Sequence, residues 1–210
     1  MLNRVTLPVT AFAQNCSLVW CSATNKAALI DPGGETDRLL AEIRQRNLTL
    51  ESILLTHGHL DHVGATGEII ATQPVPVIGP GKEDAFWITA LDQQVQMFGF
   101  APVPGFTPDT WLAAGDSVTV GNETMEVYHC PGHTPGHVVF VHQAQKLAFV
   151  GDVLFNGGVG RSDFPRGDHA TLIHSIMHTL LPLGDAFTFV PGHGPESTFG
   201  HERQHNPYLR

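Results

Sequence analysis

The stretch Ser52-Ile53-Leu54-Leu55-Thr56-His57-Gly58-His59-Leu60-Asp61-His62 decides how the chain is read. Its first four residues are a short apolar run that predicts a strand, and a histidine pair follows at once. His57 and His59 stand two apart, so in an extended segment they share one face. Asp61 and His62 then open a segment, Asp61 to Thr72, that predicts a helix. Four metal-type side chains within six residues, divided by that turn, can aim at two neighbouring points and so serve two ions. Three imidazoles with one carboxylate suit zinc, iron or manganese and argue against calcium or magnesium.

Three further candidates each end a predicted strand. His133 lies in Cys130-Pro131-Gly132-His133-Thr134-Pro135-Gly136-His137, directly after the strand Met125–His129. Asp152 follows Leu147–Val150 in Val150-Gly151-Asp152, and His193 follows Ala186–Val190 in Pro191-Gly192-His193-Gly194. A glycine beside each lets the backbone approach a ligand without a Cβ clash. Loops at strand ends are also where scaffolded sites sit.

The composition fits that reading. The chain has 210 residues, 42% hydrophobic, with 12 Phe, 3 Trp and 2 Tyr, which is apolar material for a full core. Histidine is over-used, at 13 residues. Twenty acidic against eleven basic residues give −9, a balance that repels phosphate backbones and anionic lipid, so neither nucleic acid nor a membrane is an expected partner. Neither uncharged stretch reads as a membrane span: Val5–Asn25 is interrupted by Pro8, Gln14 and Asn15, and Val127–Gln145 carries histidines and prolines. With no secretory signal and three cysteines (Cys16, Cys21, Cys130), the expectation is reduced thiols in a cytoplasm. No heptad pattern or separable domain points to assembly, and a monomer is expected.

Strands predicted at Leu2–Val9, Ser17–Cys21 and Ala27–Ile30 precede an amphipathic helix, Thr36–Asn47, with Leu39, Leu40 and Ile43 on one face. A helix from Glu83 to about Phe98 closes the first half. Strands at Ser117–Val120, Met125–His129, Val138–His142, Leu147–Val150 and Ala186–Val190, with a helix over His169–Leu181, make the second. Two similar successions of this kind fit an α+β protein built as a four-layer αββα sandwich.

The His-x-His-x-Asp-His motif and the later His133, Asp152 and His193, in this order, resemble the metallo-β-lactamase superfamily, and more narrowly its glyoxalase II-like (hydroxyacylglutathione hydrolase-like) branch. The resemblance implies the αββα sandwich, with the site at one edge between the sheets. It implies that His57, His59 and His133 hold a first divalent ion. Asp61, His62 and His193 hold a second, zinc being the first choice for both, and Asp152 bridges the two. Asp61 and Asp152 are then the catalytic carboxylates, and the implied reaction is hydrolysis of a small thioester, such as S-lactoylglutathione, by a hydroxide between the ions. Arg161, in Gly157-Gly158-Val159-Gly160-Arg161-Ser162-Asp163-Phe164, matches a loop position at which the branch contacts glutathione. It either meets a substrate carboxylate or pairs with Asp163.

The chain is expected to be one domain over residues 1–210, without the C-terminal helical extension of full-length glyoxalase II enzymes. It also has Gly194-Pro195 where eukaryotic members place an aromatic glutathione contact, so a more open site is expected. Three alternatives stay open. One is a persulfide dioxygenase type with a single iron on His57, His133 and Asp152; the others are a β-lactam hydrolase and a metal-binding sensor without catalysis. His137 is read as lying behind the ligands or in the core, His129 and His142 as ordinary interior or surface residues, and Cys130 as having no catalytic role.

Overall fold

The computed structural model describes residues 1–210. The first half runs β1 (Leu2–Val9), β2 (Gln14–Cys21), β3 (Lys26–Ile30), α1 (Thr36–Gln45), β4 (Thr49–Leu54), α2 (Leu60–Val63), α3 (Thr66–Thr72), β5 (Val77–Ile78), α4 (Ala85–Thr89) and α5 (Leu91–Phe98). The second runs β6 (Ser117–Val120), β7 (Glu123–His129), β8 (Val138–His142), β9 (Leu147–Gly151), β10 (Leu154–Phe155), β11 (Gly158–Val159), α6 (His169–Ser175), β12 (Thr188–Pro191), β13 (Ser197–Thr198) and α7 (Phe199–His205). Strands β1 to β5 form one sheet in sequence order, and the other has the order β13-β12-β9-β8-β7-β6.

Strand alternation divides the apolar residues into three layers. Val19, Ala28, Ile30 and Leu54 of the first sheet face Val118, Met125, Val127, Phe140 and Phe149 of the second, and this is the core between the sheets. The neighbours of those residues, Leu18, Ala27, Leu29 and Ile53, point the other way onto Leu39 and Ile43 of α1, Ile69 of α3 and Val95 of α5. In the second sheet Val139, Val141, Ala148 and Phe189 turn outward onto Leu172 and Ile176 of the α6 segment and Phe199 of α7. The fold is therefore a four-layer αββα sandwich. No helix is long and apolar enough to cross a membrane.

Three predicted helices are interrupted. The segment Asp61 to Thr72 divides at Gly64-Ala65, where the Ala65 N–H turns to the Pro32 carbonyl (2.9 Å) and a Cβ on Gly64 would meet the Gly33 carbonyl oxygen at 2.6 Å. The segment Glu83 to Phe98 breaks at Ala90, with a 3₁₀ turn over Lys82–Asp84 before α4. The helix from His169 widens after Ser175 into a π-type turn over Ile176–Leu180 and ends in a 3₁₀ turn at Leu181–Leu183, where Pro182 has no N–H to continue it. The hairpin β10–β11 and strand β13, each two residues long, are too short to leave a period in the sequence.

The parallel strand pairs β3–β4, β4–β5 and β9–β12 bring the C-terminal ends of β4, β9 and β12 to the same edge of the sandwich. There the two sheets are laced together. The Asn15 N–H donates to the Gly192 carbonyl (2.7 Å), and the Asn15 side-chain amide donates to the carbonyls of Pro191 (3.0 Å) and Gly194 (2.8 Å).

Candidate metal centre

All seven predicted metal-type side chains meet at this edge. His57, His59 and His133 form one group whose donor atoms lie within 4.8 Å of one another, and Asp61, His62 and His193 form a second. The His133 Nε2 and His59 Nδ1 atoms are 3.0 Å apart, and His193 Nε2 is 3.1 Å from Asp61 Oδ2. Asp152 stands between the groups. Its Oδ1 is 3.3 Å from His62 Nε2, while Oδ2 is 3.6 Å from His133 Nε2 and 3.7 Å from His193 Nε2.

Four of the imidazoles have their outer nitrogen engaged by the protein, which leaves the inner one directed into the centre. His62 Nδ1 bonds Asp31 Oδ2 (2.9 Å), His133 Nδ1 bonds the Arg161 carbonyl (2.6 Å), His193 Nδ1 bonds the Phe12 carbonyl (3.1 Å) and His57 Nδ1 meets the Thr56 hydroxyl (3.0 Å). This is the arrangement that fixes tautomer and ring direction in metal-binding histidines. Several atoms facing the centre lack a hydrogen bond: His57 Nε2 and His59 Nε2 are buried and unpaired, and His62 Nε2 and Asp152 Oδ1 face only each other, at 3.3 Å. Buried polar groups are nearly always satisfied, so a cluster of such orphans facing one space fits metal ions. The donor set suits divalent ions of the zinc, iron and manganese type, and the two groups with a shared carboxylate suit two of them.

Electrostatics divide the imidazoles by position. Burial, reinforced by neighbouring imidazoles, holds His57 and His137 well below the usual histidine range, and burial together with His133 lowers His59 to about 3. Burial also lowers His133. These rings are neutral at physiological pH, the state in which imidazole binds a metal. Burial disfavours a charge on His62 too, but Asp152 and Asp61 overcome it and push its pKa well up. The Asp152 carboxyl, buried but facing His62, His133 and His193, lies far below the ordinary carboxylate range.

Glycine makes the close approach possible. A Cβ on Gly192 would fall 2.0 Å from Asp152 Oδ1, and one on Gly160 would fall 1.9 Å from the Asp152 carbonyl oxygen. Beside the centre opens a cavity of about 560 Å³, walled by Phe12, Phe86, Trp87, Phe98, Phe155 and Phe164, with Arg161 at its rim. Arg161 donates to both carboxylate oxygens of Asp163 (2.9 and 2.8 Å), and its guanidinium lies 4.5 Å from the centre of the Phe164 ring.

The metallo-beta-lactamase superfamily profile matches residues 9–201. The chain belongs to the metallo-beta-lactamase superfamily. It is 47% identical over 209 residues to the hydroxyacylglutathione hydrolase GloC of Haemophilus influenzae, an alignment covering 99% of this chain and 98% of that one. Among solved structures it is similar to the BLEG-1 B3 metallo-beta-lactamase (35% identity, TM-score 0.89, covering 100% of this chain and 99% of that one). It is equally similar to TTHA1623 in a di-iron-bound form (35% identity, TM-score 0.89, covering 98% and 100%).

Several supports of this superfamily centre were not singled out in the sequence. Asp31 directly follows β3, in Asp31-Pro32-Gly33-Gly34. Its Oδ1 accepts the Thr56 N–H (2.7 Å), and its Oδ2 accepts the Thr56 hydroxyl (2.5 Å) as well as His62. Its place at the end of β3, beside β4, was the available signal. Asp84 lies buried ahead of α4 and joins two loops: Oδ2 accepts from the Gly58 N–H (2.9 Å) and the Thr134 hydroxyl (2.7 Å), Oδ1 from the Gly136 N–H (2.6 Å). Burial pushes its pKa up to about 6. The Gln94 side chain accepts the Leu60 N–H (2.9 Å) and donates to the Trp87 carbonyl (2.9 Å), tying α5 to the same loop. Only distant contacts reveal Asp84 and Gln94.

The other histidines fall into place around these. His137 stacks on His57 (centroids 4.7 Å apart), and its Nε2 accepts the Asp152 N–H (3.1 Å), so it supports the centre from behind. His129 bonds the Pro135 carbonyl and His142 bonds Glu123. Cys130 is buried, which pushes its thiol well above the usual range, away from thiolate chemistry.

Proposed function

We propose that the protein is a binuclear metallohydrolase that cleaves a glutathione thioester, such as S-lactoylglutathione, to a hydroxy acid and the free thiol. The observation that carries this reading is the Asp152 carboxylate, one oxygen toward His62 and the other toward His133 and His193. His57, His59 and His133 would hold one ion and Asp61, His62 and His193 the other, with Asp152 shared. End-to-end similarity to a hydroxyacylglutathione hydrolase supports the substrate class. Zinc is the proposed metal, with iron accepted by the same donors, as the di-iron form of a related structure supports.

Divalent ions held there supply an acidified water and a polarised carbonyl. The chain's own residues do the positioning. Asp61 and Asp152 place negative charge on the centre's floor and orient the attacking water, and the outer hydrogen bonds of His57, His62, His133 and His193 keep the rings from turning. A thiolate leaving group needs little protonation, and no acid is required of Cys130 or His137. Arg161, the one arginine or lysine on the cavity wall, meets a substrate carboxylate by exchanging its bond to Asp163.

Elemental analysis of protein purified without added metal, joined to an S-lactoylglutathione assay, tests the reading. Two ions per chain and thiol release are the expected result, with both ion content and rate reduced in Asp61→Ala. Oxygen uptake with glutathione persulfide and no thiol release would replace the hydrolase with a dioxygenase. Full two-metal occupancy and rate in Asp61→Ala would remove Asp61 from the centre.

A further inference from the structure

The cavity wall is of one chemical kind on the side nearest the first histidine group. The Trp87 ring packs edge-on against His59 with centroids 4.6 Å apart, and Phe164 packs against the same ring at 5.1 Å and against His133 at 6.2 Å. Trp87 and Phe164 also meet each other at 6.2 Å and 90°, closing a right-angled aromatic corner over His59. Phe86 extends the corner outward from Trp87, at 5.0 Å. Of the arginine and lysine side chains, only Arg161 reaches this cavity, exposed and already bonded to Asp163.

A glutathione thioester has two unlike ends. The thiol end carries carboxylates, an ammonium group and peptide bonds, and laying these along an aromatic wall strips their hydration without returning hydrogen bonds. The acyl end has no such charge. With the thioester carbonyl at Asp152, the charged end is sent to the rim, where Arg161 and solvent are, and the acyl end is left with the aromatic corner. A lactoyl group, with three carbons and a hydroxyl, offers the corner little apolar surface.

We infer that the corner formed by Trp87 and Phe164 is an acyl pocket, and that the protein selects thioesters whose acyl group is a longer aliphatic or aromatic chain. The inference rests on the thioester hydrolase reading and sharpens it, because it names the acyl group rather than the thiol as the part that is recognised. Each methylene gained against the wall raises kcat/KM by up to about fourfold. Loss of part of the wall lowers that gain for long chains more than for short ones.

The experiment is a series with one thiol and a varied acyl group: S-acetyl-, S-butyryl-, S-hexanoyl- and S-lactoylglutathione, assayed with the metal-loaded enzyme. Thiol and leaving-group chemistry are constant, so the slope along the straight-chain members reports the wall. The expected result is a rise in kcat/KM of at least tenfold from acetyl to hexanoyl, and a flattened slope in Phe164→Ala. Phe164 is half-buried in a loop, and Phe164→Leu, which keeps apolar volume, retains most of the slope. A flat or falling series with robust thiol release overturns the acyl pocket and leaves the hydrolase standing. No hydrolysis of any member overturns the hydrolase reading, and the pocket with it.

Discussion

Acidification of the metal-free protein is a severe test of the centre, because burial holds four of its imidazoles, His57, His59, His133 and His137, neutral. In the unfolded chain each histidine takes up a proton near pH 6.5. Folded, His59 does so only near pH 3, and His57 and His137 are also held well below their ordinary value by burial. For a base whose folded pKa is depressed, the unfolded state binds the proton first, so stability is lost as pH falls below 6.5. Between pH 6.5 and 5 His59 alone costs roughly 2 kcal/mol, and His57, His133 and His137 add losses of the same sign. Asp84 acts in the opposite sense. Its folded pKa of about 6 lies above the unfolded value, so it returns about 1 kcal/mol between pH 6 and 5.

The remaining charged members do not act in that window. His62 and His193 have raised pKa values, and their contribution is fully present below pH 6.5 and lost only as pH rises. Asp61 and Asp152 have lowered values, and theirs disappears only below the ordinary carboxylate range. The net is therefore a loss of stability between pH 6.5 and 5, carried by four buried imidazoles against one buried carboxyl. Urea denaturation of chelator-stripped protein at half-unit intervals from pH 8 to 5 measures it. The expected midpoint is flat or gently falling above pH 7 and drops steeply below 6.5. A midpoint that holds or rises from pH 6.5 to 5 would refute the assignment of these rings as buried neutral groups.

Three other outcomes follow from the same geometry. Asp31→Asn places an amide against His62 Nδ1 and the Thr56 N–H, and is expected to weaken binding of one of two ions by about 10- to 100-fold in a competition titration. Gly192→Ala sets a methyl 2.0 Å from Asp152 Oδ1, so the variant should bind fewer than two ions per chain and lose most thiol-releasing activity while circular dichroism shows the fold intact. Loading the stripped protein with zinc at 100 times the dissociation constant should raise unfolding free energy by about 2.7 kcal/mol per site, measured by urea titration with and without metal.

Strand positions were legible because alternation leaves a local record. Leu18 and Val19, or Leu29 and Ile30, face opposite layers, and each strand carries that pattern within itself. The seven metal-type residues were legible for a related reason, since each follows a strand and most have glycine as a neighbour. Helix ends were less so: Ala65 gives its N–H to Pro32, a partner outside its own helix, and nothing in the local sequence announces it. Asp84 and the aromatic corner were not legible at all. Asp84 binds groups 26, 50 and 52 residues away, and Phe164 meets Trp87 from the other half of the chain. Such contacts exist only once the sheets have paired.

The centre and the rest of the fold stand in a definite energetic relation. Each buried ring nitrogen left without a partner costs about 1–3 kcal/mol, and His57 Nε2 and His59 Nε2 are two such atoms within one edge of the sandwich, while His62 Nε2 has only Asp152 Oδ1, 3.3 Å away. Hydrogen bonds to Asp31 and to the carbonyls of Arg161 and Phe12 hold the rings of His62, His133 and His193 in place but give those inner atoms no partner. The three apolar layers must therefore over-stabilise the sandwich enough to tolerate a centre that works against folding until ions occupy it. Large buried side chains lie on the strands that carry the centre. Phe140, Phe149 and Phe189, all but fully buried, sit on β8, β9 and β12, and β9 and β12 are the strands from whose ends Asp152 and His193 project. Rigid packing at the strand ends keeps those groups aimed inward when relaxation outward would lower their own energy.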